Sequence, residues 1–313
     1  MFEDLKNLQN IPRGGTSKIK KVFTSRFPNG RLAEIDYSQL EVVIQGVLTK
    51  DPQLTQDLKD RVDFHCKRLA AKLGRPYEEI WHLHHVLEDK DIGKQRTGAK
   101  NFSFQRAYGA GVDAVVESTG MSKADVEALV EAEEKLYPGI SAFDRKLEGI
   151  IDRNRIPSSR KLFIEGIPFT QGESHWDSPT GTRYVWRENE SLPFMKQKGI
   201  FTSFSPTERK NYPVQGFGGE VVQTMLGKVF RYFLENDMFD GKVLLINTVH
   251  DCVLLDGENE ELLTKVALEV QRILEDVPAT FNAAFPDTLN IVVPFPCETE
   301  IGKDLFTMSV VHA

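Results

Sequence analysis

The stretch GKVLLINTVHDCVLLDG, residues 241–257, places a histidine and an aspartate between two apolar runs. The runs Val243–Ile246 and Cys252–Leu255 predict two short strands, and the few residues between them predict a hairpin. An ionised Asp251 beside a sheet core costs several kcal/mol, roughly, unless a cation or hydrogen bonds compensate it. Asp251 alone is therefore more often a turn residue that hydrogen-bonds its own backbone than a functional carboxylate.

A second carboxylate at a strand end strengthens the case for a functional role of Asp251. Asp36 ends the predicted strand RLAEID, residues 31–36, in the way that Asp251 follows an apolar run. The two acids converge only if their strands share one sheet. Oxygen ligands of this kind suit Mg²⁺, and a two-metal site promotes phosphoryl transfer. Two unrelated turn aspartates are the alternative.

Composition restricts the class of protein. The chain has 313 residues, of which 40% are hydrophobic and 27% charged, as expected for a globular protein. Its three cysteines are far apart, which indicates a reducing compartment such as the cytoplasm and no disulfide framework. A net charge of −7 argues against a nucleic-acid coat but leaves room for a locally basic cleft. No apolar run is long enough for a membrane span, so we expect no membrane partner.

The remaining pattern predicts a helical lobe inserted between strands. Residues 50–155 are expected to be mostly helical, with one helix capped by Ser122. Residues 160–190 predict irregular hairpins. The segment GFGGE, 216–220, is expected to be a flexible entry to a helix. Further helices are predicted at Gln39–Thr49, Glu220–Glu235 and Glu258–Leu274.

One predicted helix carries a mixed stripe of two basic and two aromatic residues. Arg96, Lys100, Phe104 and Tyr108 recur every four positions and so share one broad helix face. Cations at one end and rings at the other suit a ligand with phosphates and a flat base. An ordinary amphipathic helix with snorkelling Arg and Lys is the alternative.

Five ordered motifs together resemble the family A DNA polymerases, those similar to bacterial DNA polymerase I. They are NLQNIP at 7–12, DYSQLE at 36–41, RTGAK…F…YG at 96–109, NYPVQG at 211–216 and VHD at 249–251. The closing segment EIGKDLFTM is also similar. The resemblance implies an α+β fold, in which an antiparallel palm sheet with helices carries an inserted, mainly helical fingers subdomain. The implied boundaries are palm 1–48, fingers 49–210 and palm 211–313.

The resemblance also implies site residues. Asp36, Asp251 and the Tyr37 carbonyl are expected to hold the metal, with Lys100 assisting catalysis. The residues expected at the incoming nucleotide are Arg96, Lys100, Phe104, Tyr108, Gly109, Gln39 and Glu41, the last as a steric gate against a ribose 2′-OH. The residues expected at DNA are Asn211, Gln215 and His250. The basic cluster Lys18, Lys20, Lys21 and Arg26 is either a solvated face or a phosphate contact, and beside a polymerase palm we favour the contact.

The implied reaction is attack of a primer 3′-OH on a dNTP, directed by primer-template DNA. The implied cofactor is a pair of Mg²⁺ ions, with Mn²⁺ as a substitute.

Three positions depart from the family pattern. Cys252 replaces the usual acid after Asp251, Val43 replaces an Arg, and Thr207 replaces a DNA-contacting Arg for which Arg209 or Lys210 is a substitute.

Three rival functions are a non-catalytic polymerase-like subunit that binds primer-template, a single-subunit RNA polymerase and a two-metal nuclease. Retention of both Asp36 and Asp251 argues against the first, and Glu41 argues against the second. The nuclease's expected cluster of three or four acids is not visible in the sequence.

In similar polymerases a thumb, and often a 3′→5′ exonuclease, precedes NLQNIP. We therefore expect one subunit of a split polymerase, for example from a phage and acting in the host cytoplasm, with a separate thumb and exonuclease polypeptide; a fragment of a longer chain is the alternative.

Overall fold

A computed structural model describes residues 18–107 and 110–311, and for residues 104, 106 and 107 it describes the backbone. The α-helices are α1 (Leu40–Thr49), α2 (Pro52–Lys59), α3 (Phe64–Leu73), α4 (Tyr77–His85), α5 (Lys90–Ala107), α6 (Val112–Thr119), α7 (Lys123–Leu136), α8 (Pro138–Arg153), α9 (Pro193–Lys196), α10 (Pro206–Glu235), α11 (Glu260–Glu275) and α12 (Val277–Ala284). The strands are β1 (Arg31–Tyr37), β2 (Ile156–Ile164), β3 (Ile167–Asp177), β4 (Arg183–Arg187), β5 (Asn189–Glu190), β6 (Thr202–Ser203), β7 (Val243–Val249), β8 (Cys252–Gly257), β9 (Cys297–Gly302) and β10 (Met308–Val311).

The chain forms two compact units. Among the described residues, the sheet unit comprises 18–40, 218–284 and 294–311, and the helical unit comprises 41–107, 110–217 and 285–293. The units divide at the start of α1 and within α10. The functional division into palm and fingers at residues 48 and 210 stays a prediction.

The sheet unit is built on one antiparallel sheet with strand order β10-β9-β1-β8-β7. Helix α11 packs on β1, β8 and β9 through its buried Val266 and Val270. The Asn259 side chain caps α11 by accepting a hydrogen bond from the Leu262 N–H at 2.9 Å, as the N-cap preference of Asn predicts. The predicted helix at 258–274 is thus confirmed within two residues.

The helical unit has a core in which α3, α5 and α7 pack together. Leu69, Phe102 and Leu129 meet in this core and are fully buried. Ser122 caps α7 through the Asp125 N–H at 3.1 Å, as predicted. The predicted hairpins between 160 and 190 are a three-stranded antiparallel sheet, β2-β3-β4. No described helix is both long and apolar enough to span a membrane.

The prediction of a flexible segment at residues 216–220 is wrong, because α10 runs through it from Pro206 to Glu235. Burial explains the difference, since Val214 and Phe217 pack into the interior at 5% and 0% exposure. Gly216 permits this packing, because a Cβ at this position would collide with the Tyr184 ring. Pro213 and Gly216 therefore lie within a packed helix rather than in a turn.

Candidate active site

The hairpin predicted around His250 and Asp251 is confirmed. Strands β7 and β8 pair from Val249 and Cys252 outward, so His250 and Asp251 form the two-residue turn. His250 is exposed and has a φ of 57°, in the left-handed region that tight turns require. Asp251 is half-buried at the end of the sheet.

Asp36 lies at the same end of the sheet. Its Cα partner on β8 is Cys252, the residue after Asp251, and its partner on β9 is Glu298. Directly opposed residues of antiparallel strands project to one face, so Cys252 and Glu298 share the face of Asp36. The prediction that both acids belong to strands of one sheet is therefore confirmed. Sequence reasoning missed Glu298, which only the strand register brings to this row.

Tyr37 projects to the opposite face of the sheet. Its hydroxyl donates a hydrogen bond to the Leu274 carbonyl of α11 at 2.7 Å, and its ring meets Phe295 edge-on at 6.4 Å. Burial, reinforced by nearby acidic groups, raises the pKa of this hydroxyl far above its usual range. The side chain thus anchors β1 on α11, while the role of its backbone carbonyl as a metal ligand stays a prediction.

Two thiols flank the acids. Cys252 and Cys297 are buried at 2% and 8% exposure. Burial, followed by the charges of Glu275, Asp36 and Asp251, raises the pKa of Cys297 far above that of a free thiol. Cys297 is the Cα partner of Tyr37 and therefore lies on the opposite face of the sheet from Asp36. The donors that Asp36 and Asp251 offer are carboxylate oxygens, which fit Mg²⁺.

The helix predicted to carry the mixed stripe is α5, in the helical unit. Ala99 and Phe102 are buried on one side at 1% and 0% exposure, whereas Lys100 is exposed and Arg96 is half-buried. The structure therefore gives Arg96 and Lys100 one accessible face, as predicted. Phe104 lies on the same helix, but its side chain is outside the described part of the structure, as are Tyr108, Gly109 and the motif at 7–12.

Sequence reasoning missed two residues near Arg96. They are Asp63, the N-cap of α3, and His65 in the first turn of α3. Asp63 accepts hydrogen bonds from the Arg96 Nη2 at 2.7 Å and Nε at 3.0 Å. Burial lowers the pKa of His65 to about 4, and the charges of Arg68, Arg96 and Lys100 contribute to that shift. His65 is therefore neutral at pH 7 and lies close to both predicted phosphate-binding cations. The local sequence gives no signal for this, because the contact is between helices far apart in the chain.

The residues between β1 and α1 include two predicted nucleotide contacts. Gln39 is exposed in the turn with a φ of 56°, and Glu41 is half-buried in the first turn of α1. Val43, where the family pattern has an Arg, is 2% exposed and packs in the interior. An apolar side chain at this position therefore fits the local packing, and the gate role of Glu41 stays a prediction.

The predicted DNA contacts Asn211 and Gln215 lie one turn apart on α10. Gln215 is exposed. The Asn211 side chain is half-buried, and its Oδ1 has no hydrogen-bond partner among the described residues. Gln215 is therefore accessible to a ligand, whereas the Asn211 Oδ1 is a buried acceptor.

Arg209 and Lys210, suggested as substitutes for the Arg that Thr207 replaces, form ion pairs within the helical unit. Arg209 lies 2.6 Å from Asp152, and Lys210 lies 3.4 Å from Asp144. Each pair is partly exposed, so solvent weakens the attraction between its members. Thr207 itself is exposed at the start of α10.

The basic N-terminal cluster is partly used within the sheet unit. Its members are Lys18, Lys20, Lys21 and Arg26. Lys20 lies 3.9 Å from Glu34, and the Arg26 backbone N–H donates a hydrogen bond to Asp256 at 3.0 Å. The side chains of Lys18, Lys21 and Arg26 are exposed. Their contact with DNA phosphates stays a prediction.

Known proteins resemble this chain over most of its length. It is 25% identical to DNA polymerase I of Pseudomonas aeruginosa over 285 residues, which are 88% of this chain and 27% of that protein. It is 30% identical to a DNA polymerase of Mycobacterium phage D29 over 141 residues, 44% of this chain and 21% of that protein. The chain thus spans about a quarter of the length of these curated relatives.

The fold resembles the POL domain of Pol1 from M. smegmatis, solved in complex with DNA primer-template and dNTP. The TM-score is 0.64 at 17% identity, covering 97% of this chain and 45% of that chain. This likeness supports the α+β polymerase fold. A family model described as DNA polymerase family A matches residues 4–306. Since that match covers nearly the whole sequence, the chain belongs to DNA polymerase family A.

Proposed function

We propose that the protein is a template-directed DNA polymerase, which adds dNTPs to a primer 3′-OH. The observation that carries the proposal is the pairing of β1 with β8, which puts Asp36 and the Asp251 turn at one end of the same sheet. The relation to a polymerase domain solved with primer-template and dNTP supports the same partners here.

The carboxylates of Asp36 and Asp251, with the Tyr37 carbonyl, are proposed to hold two Mg²⁺ ions, with Mn²⁺ as a substitute. Their oxygen-only donor chemistry fits such hard cations. When bound, the metal offsets the negative charge that develops on the reacting oxygens. The protein's own contribution at these residues is to fix two anionic side chains on a rigid sheet.

In the helical unit, Arg96 and Lys100 are proposed to bind the triphosphate of the incoming nucleotide. Their role is to neutralise charge that builds up as the pyrophosphate leaves, which is the main form of catalysis open to a protein in phosphoryl transfer. Asn211, Gln215 and His250 are proposed to contact primer-template, each through a side chain with hydrogen-bonding capacity.

Single-nucleotide primer extension tests the function directly. Labelled primer-template, one dNTP at a time and Mg²⁺ should give addition of the base that the template specifies, and rNTPs should be used far less well. EDTA should stop the reaction. Tight primer-template binding with no extension in either Mg²⁺ or Mn²⁺ would instead support the non-catalytic DNA-binding alternative.

Glu41→Ala is expected to reduce the preference for dNTP over rNTP by about tenfold or more, because a lost steric or polar contact is worth roughly 1–3 kcal/mol of discrimination. DNA synthesis should persist. The measurement is the ratio of kcat/KM values for matched dNTP and rNTP. Gln45→Ala, one turn further along α1, is the control. Unchanged sugar selection in Glu41→Ala would contradict the gate role.

We further propose that a separate polypeptide supplies the thumb and the exonuclease of a split polymerase. A net charge of −7 supports this, since phosphate contacts by basic side chains dominate DNA affinity. The interface is proposed to lie where residues 18–24 adjoin the C-terminal segment. Thr24 bridges to Asp304 there, and Val22 and Val310 are 71% and 40% exposed.

Adding one thumb-bearing protein from the same genome is expected to raise primer-template affinity about tenfold or more, and to lengthen the products. Fluorescence anisotropy and product sizing measure both effects. Val22→Lys should weaken the gain, whereas Ile246→Lys, at an exposed apolar residue of β7, should not. Tight DNA binding and long products from the isolated chain would contradict the split-enzyme proposal.

A further inference from the structure

Asp63 has two structural tasks, one for each carboxylate oxygen. Its Oδ1 caps α3 by accepting hydrogen bonds from the His65 and Cys66 N–H groups, both at 3.0 Å. Its Oδ2 accepts from Arg96 Nη2 at 2.7 Å and Nε at 3.0 Å, and it also lies 3.1 Å from His85 Nε2. The start of α3 therefore fixes the carboxylate, and the carboxylate in turn fixes the guanidinium of α5.

The electrostatics agree with a permanently charged pair. Burial opposes ionisation, but the Cys66 N–H and the Arg96 guanidinium together hold the pKa of Asp63 well below its usual range. The side chains of Asp63 and Arg96 are only 13% and 22% exposed, so solvent screens them less than a surface pair. The pair therefore stays formed across the physiological pH range.

A metal site is the competing explanation for this cluster. The ligand atoms of Asp63, Cys66 and His85 lie within 4.8 Å of one another. However, Arg96 already supplies the cation at Asp63, and burial followed by the Asp63 charge raises the pKa of the Cys66 thiol to about 12. A protonated thiol beside a guanidinium is a poor place for a metal ion. The contacts favour a role for Asp63 toward Arg96.

The geometry of a guanidinium allows it to serve two anions at once. Asp63 contacts Nε and Nη2, so its carboxylate does not occupy the Nη1 edge of Arg96. The same neighbourhood holds Lys100, whose charge contributes to the shifted pKa of His65 together with that of Arg96. A phosphate that meets Lys100 and the Nη1 edge does not have to displace Asp63.

We propose that Asp63 is a positioning residue, which holds the Arg96 guanidinium in the orientation that binds the triphosphate of the incoming nucleotide. This inference rests on the proposed function, in which Arg96 binds the phosphates. A long, flexible Arg side chain loses rotamer freedom on binding, and a pre-formed ion pair removes that cost before the nucleotide arrives. The expected signature is a loss of nucleotide affinity without a loss of DNA affinity.

Asp63→Asn and Asp63→Ser test the inference, because Asn and Ser both preserve the helix cap while removing the charge. Each variant is expected to weaken dNTP binding about tenfold or more. The measurement is equilibrium dNTP affinity of the full chain on primer-template with a dideoxy-terminated primer, so that no chemistry occurs. Primer-template affinity should stay unchanged, and thermal melting should confirm folding.

Two further variants complete the design. Glu188→Gln breaks a comparable two-point pair with Arg155, at 2.7 and 2.8 Å in the same unit, and should leave dNTP affinity unchanged. Arg96→Ala should lose dNTP affinity, and Asp63→Asn added to it should cause no further loss, because Asp63 acts through Arg96.

Each outcome separates this inference from the proposed function. Loss in Arg96→Ala with none in Asp63→Asn overturns the positioning role and leaves the phosphate role intact. Additive losses, or tighter dNTP binding in Asp63→Asn, also overturn it, the latter because Asp63 would then restrain Arg96. No loss in Arg96→Ala contradicts the phosphate role itself.

Discussion

Replacing Asp36 or Asp251 with alanine is expected to reduce nucleotide incorporation about 10³-fold or more, because each carboxylate is proposed to hold a metal whose charge stabilisation is worth several kcal/mol. Both residues are half-buried at the end of the sheet. The fold should therefore survive either change. The measurement is the single-turnover rate of one-nucleotide addition with saturating Mg²⁺ and dNTP.

Glu258→Ala is the matched control for these variants. Glu258 is exposed just beyond the opposite end of β8, so it removes an acid from the same strand region without touching the Asp36 row. Its rate should match that of the unaltered chain. A near-normal rate in Asp36→Ala or Asp251→Ala, with an unchanged melting temperature, would contradict the metal-binding assignment.

Lys100→Ala is expected to slow the chemical step about 10²-fold or more, because its ammonium is proposed to meet phosphate oxygens that gain charge during transfer. Lys100 is exposed on α5, so its removal leaves no cavity in the helical unit. The measurement is the single-turnover rate at saturating dNTP, which separates the chemical step from weaker binding.

Lys94→Ala is the control for Lys100. It removes another exposed lysine from α5, six residues away and on a different face of the helix. Its rate should be unchanged. An equal effect of the two substitutions would show that the general charge of α5 matters, and an unchanged rate in Lys100→Ala would count against the phosphate role.

Local sequence pattern was sufficient to predict the elements that carry the acids. The apolar runs on either side of His250 and Asp251 predicted β7 and β8, and both strands extend beyond the predicted ends, to Val249 and Gly257. The four-residue spacing of Arg96 and Lys100 predicted α5. These signals are local because the periodicity of side chains follows directly from the geometry of a strand or helix.

Local sequence pattern could not predict contacts between elements that are far apart in the chain. The pairing of Asp63 with Arg96 joins residues 33 positions apart through the packing of α3 on α5. Glu298 stands opposite Asp36 only through the register of β9. The start of α10 was missed because Pro213 and Gly216 are turn residues by propensity, whereas burial keeps them helical.

Template-directed, metal-dependent addition of one nucleotide is the most direct test of the account. The chain, at micromolar concentration to overcome weak DNA binding, is mixed with labelled primer-template, one dNTP and either Mg²⁺ or EDTA. The account predicts addition of only the complementary nucleotide with Mg²⁺, and none with EDTA or with Asp36→Ala. Extension that ignores the template base, or equal extension by Asp36→Ala, would contradict it.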